Sequence, residues 1–182
     1  RRGLAPGLLE WGDGAAPPLI YGEWLVPGAE RTYVLYAHYD GQPVDPADWT
    51  VTPPFEPRLV GEGDEARVYA RSASDDKAGV MAILAAVDAL RAEGRTPAFN
   101  VKIVFEGEEE AGSPHLQQLL RRHRDTLASD GWIIVDGPAH QSGPPQLTLG
   151  VRGDVNMHVT VYGPARPLHS GHYGNWAPNP GM

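Results

Sequence analysis

His38 and Asp40 in YAHYD, Asp75 in ASDDK, Glu109 and Glu110 in GEEEAGS, and Asp136 in IIVDG each follow a run that reads as a strand. Four separate segments thus carry imidazole nitrogen and carboxylate oxygen toward one end of a sheet. In open α/β sheets, sites form beyond the carboxyl ends of the strands. The excess of carboxylates suggests a metal site, and hence a hydrolase.

Each residue taken singly has a plainer reading. A histidine after a strand is often a satisfied core residue, and Asp40 could serve turn chemistry. Asp75-Asp76-Lys77 could be a helix cap followed by a favourable first turn. GEEE could be a solvated acidic loop, and Asp136 a simple loop former. Jointly these readings fail, because every residue would have to reach the same sheet end by chance. His38 and Asp40 are i, i+2 partners, so in an extended segment both side chains point the same way. One can hold an ion while the other orients it. Two ions could share a carboxylate, acidify a bridging water and polarise a carbonyl. Of two adjacent glutamates, one can coordinate while the other takes the proton.

The elements that must position these residues alternate in type. Residues 17–27 and 32–37 read as strands joined by a turn at Pro27-Gly28. Residues 41–58 are rich in Pro and Asp and read as a loop, and 67–71 as a short strand. From Asp76 the period changes: Val80, Ile83, Leu84, Val87 and Leu90 recur at helical spacing until Gly94 and Pro97. Ser74 or Asp75 could cap that helix. Residues 99–105 form a core strand. Ser113-Pro114 reads as the opening of a second helix, with Leu116, Leu119, Leu120 and Leu127 on its apolar side. WIIV at 132–135 is a further apolar strand. The expected fold is α/β: a mixed, mainly parallel sheet sandwiched by helices. From Gly153, Val155, Met157, Val159 and Val161 alternate with polar residues, which predicts a strand with one wet face. A domain boundary is therefore placed near residue 152, giving 1–152 as one domain and 153–182 as the start of another.

Bulk properties narrow the classes. The chain has 182 residues, 41% hydrophobic and 21% charged, as in a globular protein. It has no cysteine, so any metal must be held by His, Asp and Glu, a set compatible with zinc, manganese or cobalt. A net charge of −8 without a basic stripe argues against a nucleic-acid partner. There is no apolar run of membrane-spanning length. RRGLAPGLLEW lacks the apolar core of a signal peptide, so a cytoplasmic setting is expected. With no Met at position 1 and an end inside PNPGM, the chain reads as part of a longer polypeptide.

YAHYDGQPVDPADW, PPFEP, RSASDDKAGVMA, FEGEEEAGS, VDG and HSGHYGNWAPNP together resemble the two-metal family of aminoacylase, carnosine dipeptidase, carboxypeptidase G, acetylornithine deacetylase and succinyl-diaminopimelate desuccinylase. HYDGQPVDP with SDDK is most similar to the dipeptidase branch. The resemblance implies a zinc exopeptidase-like catalytic domain followed by a smaller α+β lid and dimerisation domain. It implies two divalent ions, most readily zinc, with Asp75 bridging them. His38 and Asp136 would complete one site, and Glu110 the other with a histidine beyond Met182. Glu109 would be the general base for a metal-bridging water, and Asp40 would orient His38. His169 would stabilise the oxyanion in a neighbouring subunit, which implies a homodimer of the full-length protein. The expected reaction is hydrolysis of an amide or peptide bond in a dipeptide or N-acyl amino acid, with neither nucleic acid nor membrane as partner. The Asp75–Asp76 peptide is often cis in that family.

Two positions depart from the pattern: Ser72 and Ala78 stand where the family usually has glycine. If the first glycine normally takes a conformation barred to other residues, Ser72 carries strain. His115 and His123 are expected to face solvent, and His158 lies on the polar side of its strand. His172 could line the site beside His169, and His140 has no assigned role. The alternative reading is a catalytically incomplete fragment or pseudoenzyme that binds metal or a protein partner. A serine hydrolase using Ser170 is disfavoured, because HSG lacks the G-x-S-x-G elbow.

Overall fold

The computed structural model describes residues 3–12, 14–137, 143, 146–174, 176–177 and 180–181. It divides into two compact units, Arg1–Pro138 and Ala139–Met182. His140 and Asn175 lie outside the described residues.

The first unit is built on a five-stranded sheet. In chain order its strands are β1 (Ala5–Leu9), β2 (Leu19–Trp24), β3 (Thr32–His38), β6 (Asn100–Glu106) and β7 (Gly131–Ile134). The spatial order is β1-β2-β6-β3-β7. β1 and β2 pair antiparallel, as do β2 and β6, whereas β6–β3 and β3–β7 are parallel. The sheet is therefore mixed, and its parallel part carries the candidate residues. A turn closed by Ala29 N–H to Val26 C=O follows β2 as expected, but β6 inserts between β2 and β3.

Period-two alternation sorts β3 onto two cores. Val34 and Tyr36 pack with Leu9, Leu19, Val104 and Leu119 on one side. Ala37 joins Ile83, Val87, Val101, Ile103 and Phe105 on the other. Helix α1 (Lys77–Ala92) covers the second face through Gly79, Ile83 and Val87, one residue per turn. It ends where Gly94 takes φ +65°, a left-handed value suited to glycine. Helix α2 (Leu116–Arg122) covers the first face through Leu119. It begins two residues later than Ser113-Pro114 suggests. Ser113 has φ +51°, not the extended backbone of an N-cap, and His115 takes the cap position.

Two short strands, β4 (Arg58–Val60) and β5 (Arg67–Tyr69), pair only with each other. β4 lies at the end of the segment read as irregular. In the second unit, residues 153–162 form no strand, and Val155, Met157 and Val159 are each about four-fifths exposed. A strand needs a neighbour to satisfy its N–H and C=O groups, and no described strand pairs with this segment. Among the described residues of that unit the regular element is the short helix α3 (Ser170–Tyr173).

Candidate metal centre

Parallel pairing brings three chain segments to one sheet edge. His38 ends β3 level with Glu106 at the end of β6, and Ile134 of β7 is level with Tyr36. Asp136, two residues past Ile134, is thereby carried to the height of His38. Glu109 and Glu110 lie in a single 3₁₀ turn, Glu109–Ala111, just past β6. Asp75 arrives differently from expectation. It does not extend a strand of this sheet but sits in the turn before α1, six residues beyond the end of the separate β4–β5 ribbon.

His38 is the buried hub, 1% exposed. Its Nδ1 lies 3.2 Å from Asp40 Oδ1 and its Nε2 3.0 Å from Asp75 Oδ1. Glu109 Oε2 and Asp136 Oδ1 lie 3.8 and 3.9 Å from the same Nε2. The contact with Asp40 favours Nδ1–H as donor, which leaves the Nε2 lone pair toward the carboxylates. Asp40 also accepts the Glu110 N–H through Oδ2, at 3.0 Å. It therefore ties the histidine to the acidic turn.

The neighbours of these residues are fastened. Asp76 is 4% exposed and accepts the His38 N–H at 3.0 Å and the Gly79 N–H at 3.2 Å. It, not Ser74 or Asp75, caps α1. The Asp75–Asp76 peptide is cis. Gly79 is needed at its place because a Cβ there would lie 2.3 Å from both Asp76 Oδ1 and the Val135 carbonyl. Glu110 accepts from Gln42 through both carboxylate oxygens, Nε2 at 2.6 Å and backbone N at 3.2 Å. Glu108 is held by His115 Nδ1 at 2.9 Å. Ser72, at φ +62°, donates to the Asp40 carbonyl, whereas Ala78 is exposed in the first turn of α1. His115 and His123 do not simply face solvent. The first meets Glu108, and the Nε2 of the second lies 3.2 Å from the Glu10 carbonyl.

Burial and the neighbouring charges shift the titrations. Burial alone would lower His38, but Asp136, Asp75, Glu109 and Asp40 together raise it above 6.5. Burial raises Glu109, helped by Asp136, Glu110 and Asp40 and opposed by His38. Asp136 and Asp76 are raised for the same first reason. Burial also raises the Tyr36 hydroxyl, which donates to the buried Glu106 at 2.5 Å.

These donors can hold a cation. One atom each from His38, Asp75 and Glu110 lie within 4.8 Å of one another, as do atoms from His38, Asp76 and Asp136. In the second group Asp76 is already committed to two backbone N–H groups, which leaves Asp136 as the more available oxygen. Imidazole and carboxylate donors in this number suit a first-row divalent ion. His169 belongs to the second unit, where its Nδ1 accepts the Gly171 N–H and its ring lies 5.4 Å from that of His172. His158 is exposed there.

The profile of peptidase family M20/M25/M40 matches residues 34–170, the stretch that contains His38, Asp40, Asp75, Asp76, Glu109, Glu110 and Asp136. The chain belongs to that family. Within it, the Cys-Gly metallodipeptidase dug1 of Schizosaccharomyces pombe is 31% identical over 92% of this chain and 35% of its own length. Human Beta-Ala-His dipeptidase is 34% identical over 87% of this chain and 31% of its own length. Among solved structures, an M20 family metallo-carboxypeptidase of Sulfolobus solfataricus superposes with a TM-score of 0.66 at 34% identity, over 79% of this chain and 31% of that one. The mixed α/β sheet is thus that of the M20 peptidases. The chain spans about a third of the length of the curated relatives it matches. Among the described residues no helix is long and apolar enough to cross a membrane.

The residues that sequence reasoning missed are the fasteners: Asp76, Gln42, Glu108 and His115. Asp76 left a readable trace as the last acidic residue before a helix. Gln42 and His115 left none, since their partners lie 68 and 7 residues away in the chain.

Proposed function

We propose that this chain carries most of the active site of a metal-dependent peptidase that cleaves dipeptides or N-acyl amino acids. His38, Asp75, Glu110 and Asp136 would hold two divalent ions, most readily zinc, with Asp75 as the ligand both would share. Divalent ions held there would polarise the scissile carbonyl and acidify a water. Glu109 takes the proton of the attacking water and passes it to the leaving amine. Asp40 holds the His38 tautomer, and His169 serves the oxyanion of a neighbouring subunit in a homodimer. Residues 1–152 are the catalytic part and 153–182 the start of the lid domain, in a cytoplasmic protein.

One observation carries the assignment of the base. Glu108 is engaged by His115 and Glu110 by Gln42, while the Glu109 carboxylate accepts no hydrogen bond among the described residues. It lies 3.8 Å from His38 Nε2, at the hub of the cluster. Burial raises its pKa, which moves a carboxylate toward the range where a general base works best. In the full-length protein, Glu109→Gln is expected to retain divalent metal and to lose activity by about 10³-fold on a panel of dipeptides and N-acyl amino acids. A wild-type protein that binds metal yet cleaves nothing on that panel would instead favour the pseudoenzyme.

A further inference from the structure

The acidic turn after β6 is fastened on its far side by a couple that the metal chemistry does not use. His115 Nδ1 lies 2.9 and 3.2 Å from the two carboxylate oxygens of Glu108. Glu108 is the residue immediately before the 3₁₀ turn Glu109–Ala111, and its carbonyl accepts the N–H groups of Ala111 and Ser113. Residues 108–113 thus form a closed loop of backbone hydrogen bonds. The His115 side chain closes it a second time from α2.

The position of His115 is itself set by packed structure. It precedes α2, whose Leu119 is 2% exposed in the core. Its ring lies 6.0 Å from that of Trp11, which packs on the same core. The Trp11 carbonyl in turn accepts from Arg122 of α2 at 2.7 Å. The helix-cap position leaves His115 free to point backward, since its side chain makes no capping hydrogen bond.

We infer that His115 and Glu108 are a positioning couple, which references the Glu109 carboxylate to the core under α2 rather than to the metal-holding residues. This rests on the reading of Glu109 as the base. Three adjacent glutamates repel one another, and a turn of this kind left to solvent would spread them. With Glu110 tied to Gln42 and Glu108 to His115, the middle carboxylate keeps one place without a hydrogen bond of its own. The couple needs only an Nδ1–H donor and a carboxylate acceptor. A small displacement of a reacting group can cost about 10²-fold in rate, so a loosened strut would appear in kcat before KM.

The test uses the full-length protein and three variants. His115→Phe keeps a ring against Trp11 and removes the donor, while His115→Asn restores a donor near the Nδ1 position. Glu109→Gln is the control for the underlying reading. The expected result is that His115→Phe lowers kcat about tenfold, with KM and bound metal nearly unchanged, and that His115→Asn recovers most of the loss. Hydrogen exchange at the amides of Ala111 and Ser113 is expected to quicken in His115→Phe and to return in His115→Asn. Unchanged exchange and unchanged kcat in His115→Phe, with Glu109→Gln inactive, would overturn the couple and leave the base assignment standing. Full activity in Glu109→Gln would overturn both. Equal loss in His115→Phe and His115→Asn would show that packing, not the donor, matters, and would also overturn it.

Discussion

Two acidic segments meet at His38, and they are fastened in opposite ways. In Asp75-Asp76 the anchor is Asp76, buried and bonded to the backbone N–H groups of His38 and Gly79. In Glu108-Glu109-Glu110 the anchors are the outer two residues, bonded mainly to side chains, His115 and Gln42. Each segment leaves one carboxylate toward the cluster: Asp75, whose side chain is 69% exposed and meets the His38 ring, and Glu109, which accepts no hydrogen bond among the described residues. A backbone anchor is shared with the fold, so losing it costs stability. A side-chain anchor can be lost with the fold intact, so its loss costs alignment.

The largest test of that contrast is within the aspartate pair. Asp76→Ala removes the cap of α1 and strands the buried His38 N–H, for an expected loss of about 2–4 kcal/mol in urea unfolding of the metal-free chain. Asp75→Ala, one residue away, is expected to change that stability by less than about 0.5 kcal/mol while sharply weakening zinc affinity in a titration. If the two variants lost stability equally, the division between anchor and ligand would be wrong. His115→Phe should resemble neither, with stability and metal affinity both nearly kept.

That division explains what the sequence made legible. β3, β6 and α1 were readable because their apolar spacing matches burial on one face or on both, and so the residues at their ends could be gathered at one sheet edge. β1 was not, because Ala5–Leu9 contains Pro and Gly and buries only Leu9. β4 was missed because it starts at the last residue of a Pro-rich stretch and is three residues long. Val155–Val161 has a strand's alternation, yet alternation records which residues could face a core and not whether a neighbouring strand is there. The ligand types could be read from composition at the sheet edge. Which of three neighbouring glutamates is left unbonded could not, since that depends on Gln42 and His115 arriving from elsewhere in the fold.

A second test asks how much the crowded carboxylates oppose folding. Folded values are raised for His38, Asp76, Glu109 and Asp136, so the native state binds more protons than the unfolded chain. The sign follows directly. The contribution of the three carboxylates is full below their ordinary range near pH 4 and is lost as pH climbs through their raised values. That of His38 is full below 6.5 and is lost above it. In EDTA, the melting temperature is therefore expected to fall between about pH 5 and 8. Zinc should oppose that fall, because the same deprotonations that destabilise the metal-free chain create its ligands. A curve that rises with pH in EDTA would contradict the raised values.

The smallest effect sharpens the comparison at the edge of the aspartate segment. Ser72 stands at φ +62° and is 6% exposed, with its Oγ donating to the Asp40 carbonyl at 3.2 Å. Ser72→Ala and Ser72→Gly both lose that hydrogen bond, which links the Asp75 turn to the residue orienting His38. They differ in one respect: alanine keeps a Cβ in a left-handed conformation and glycine does not. Ser72→Gly is therefore expected to be more stable than Ser72→Ala by about 1 kcal/mol in the same urea assay. Glycine also frees the unfolded chain, which opposes the gain by a fraction of that amount. If alanine proved the more stable of the two, the left-handed backbone at Ser72 would carry no strain. The serine would then be explained by its hydrogen bond alone.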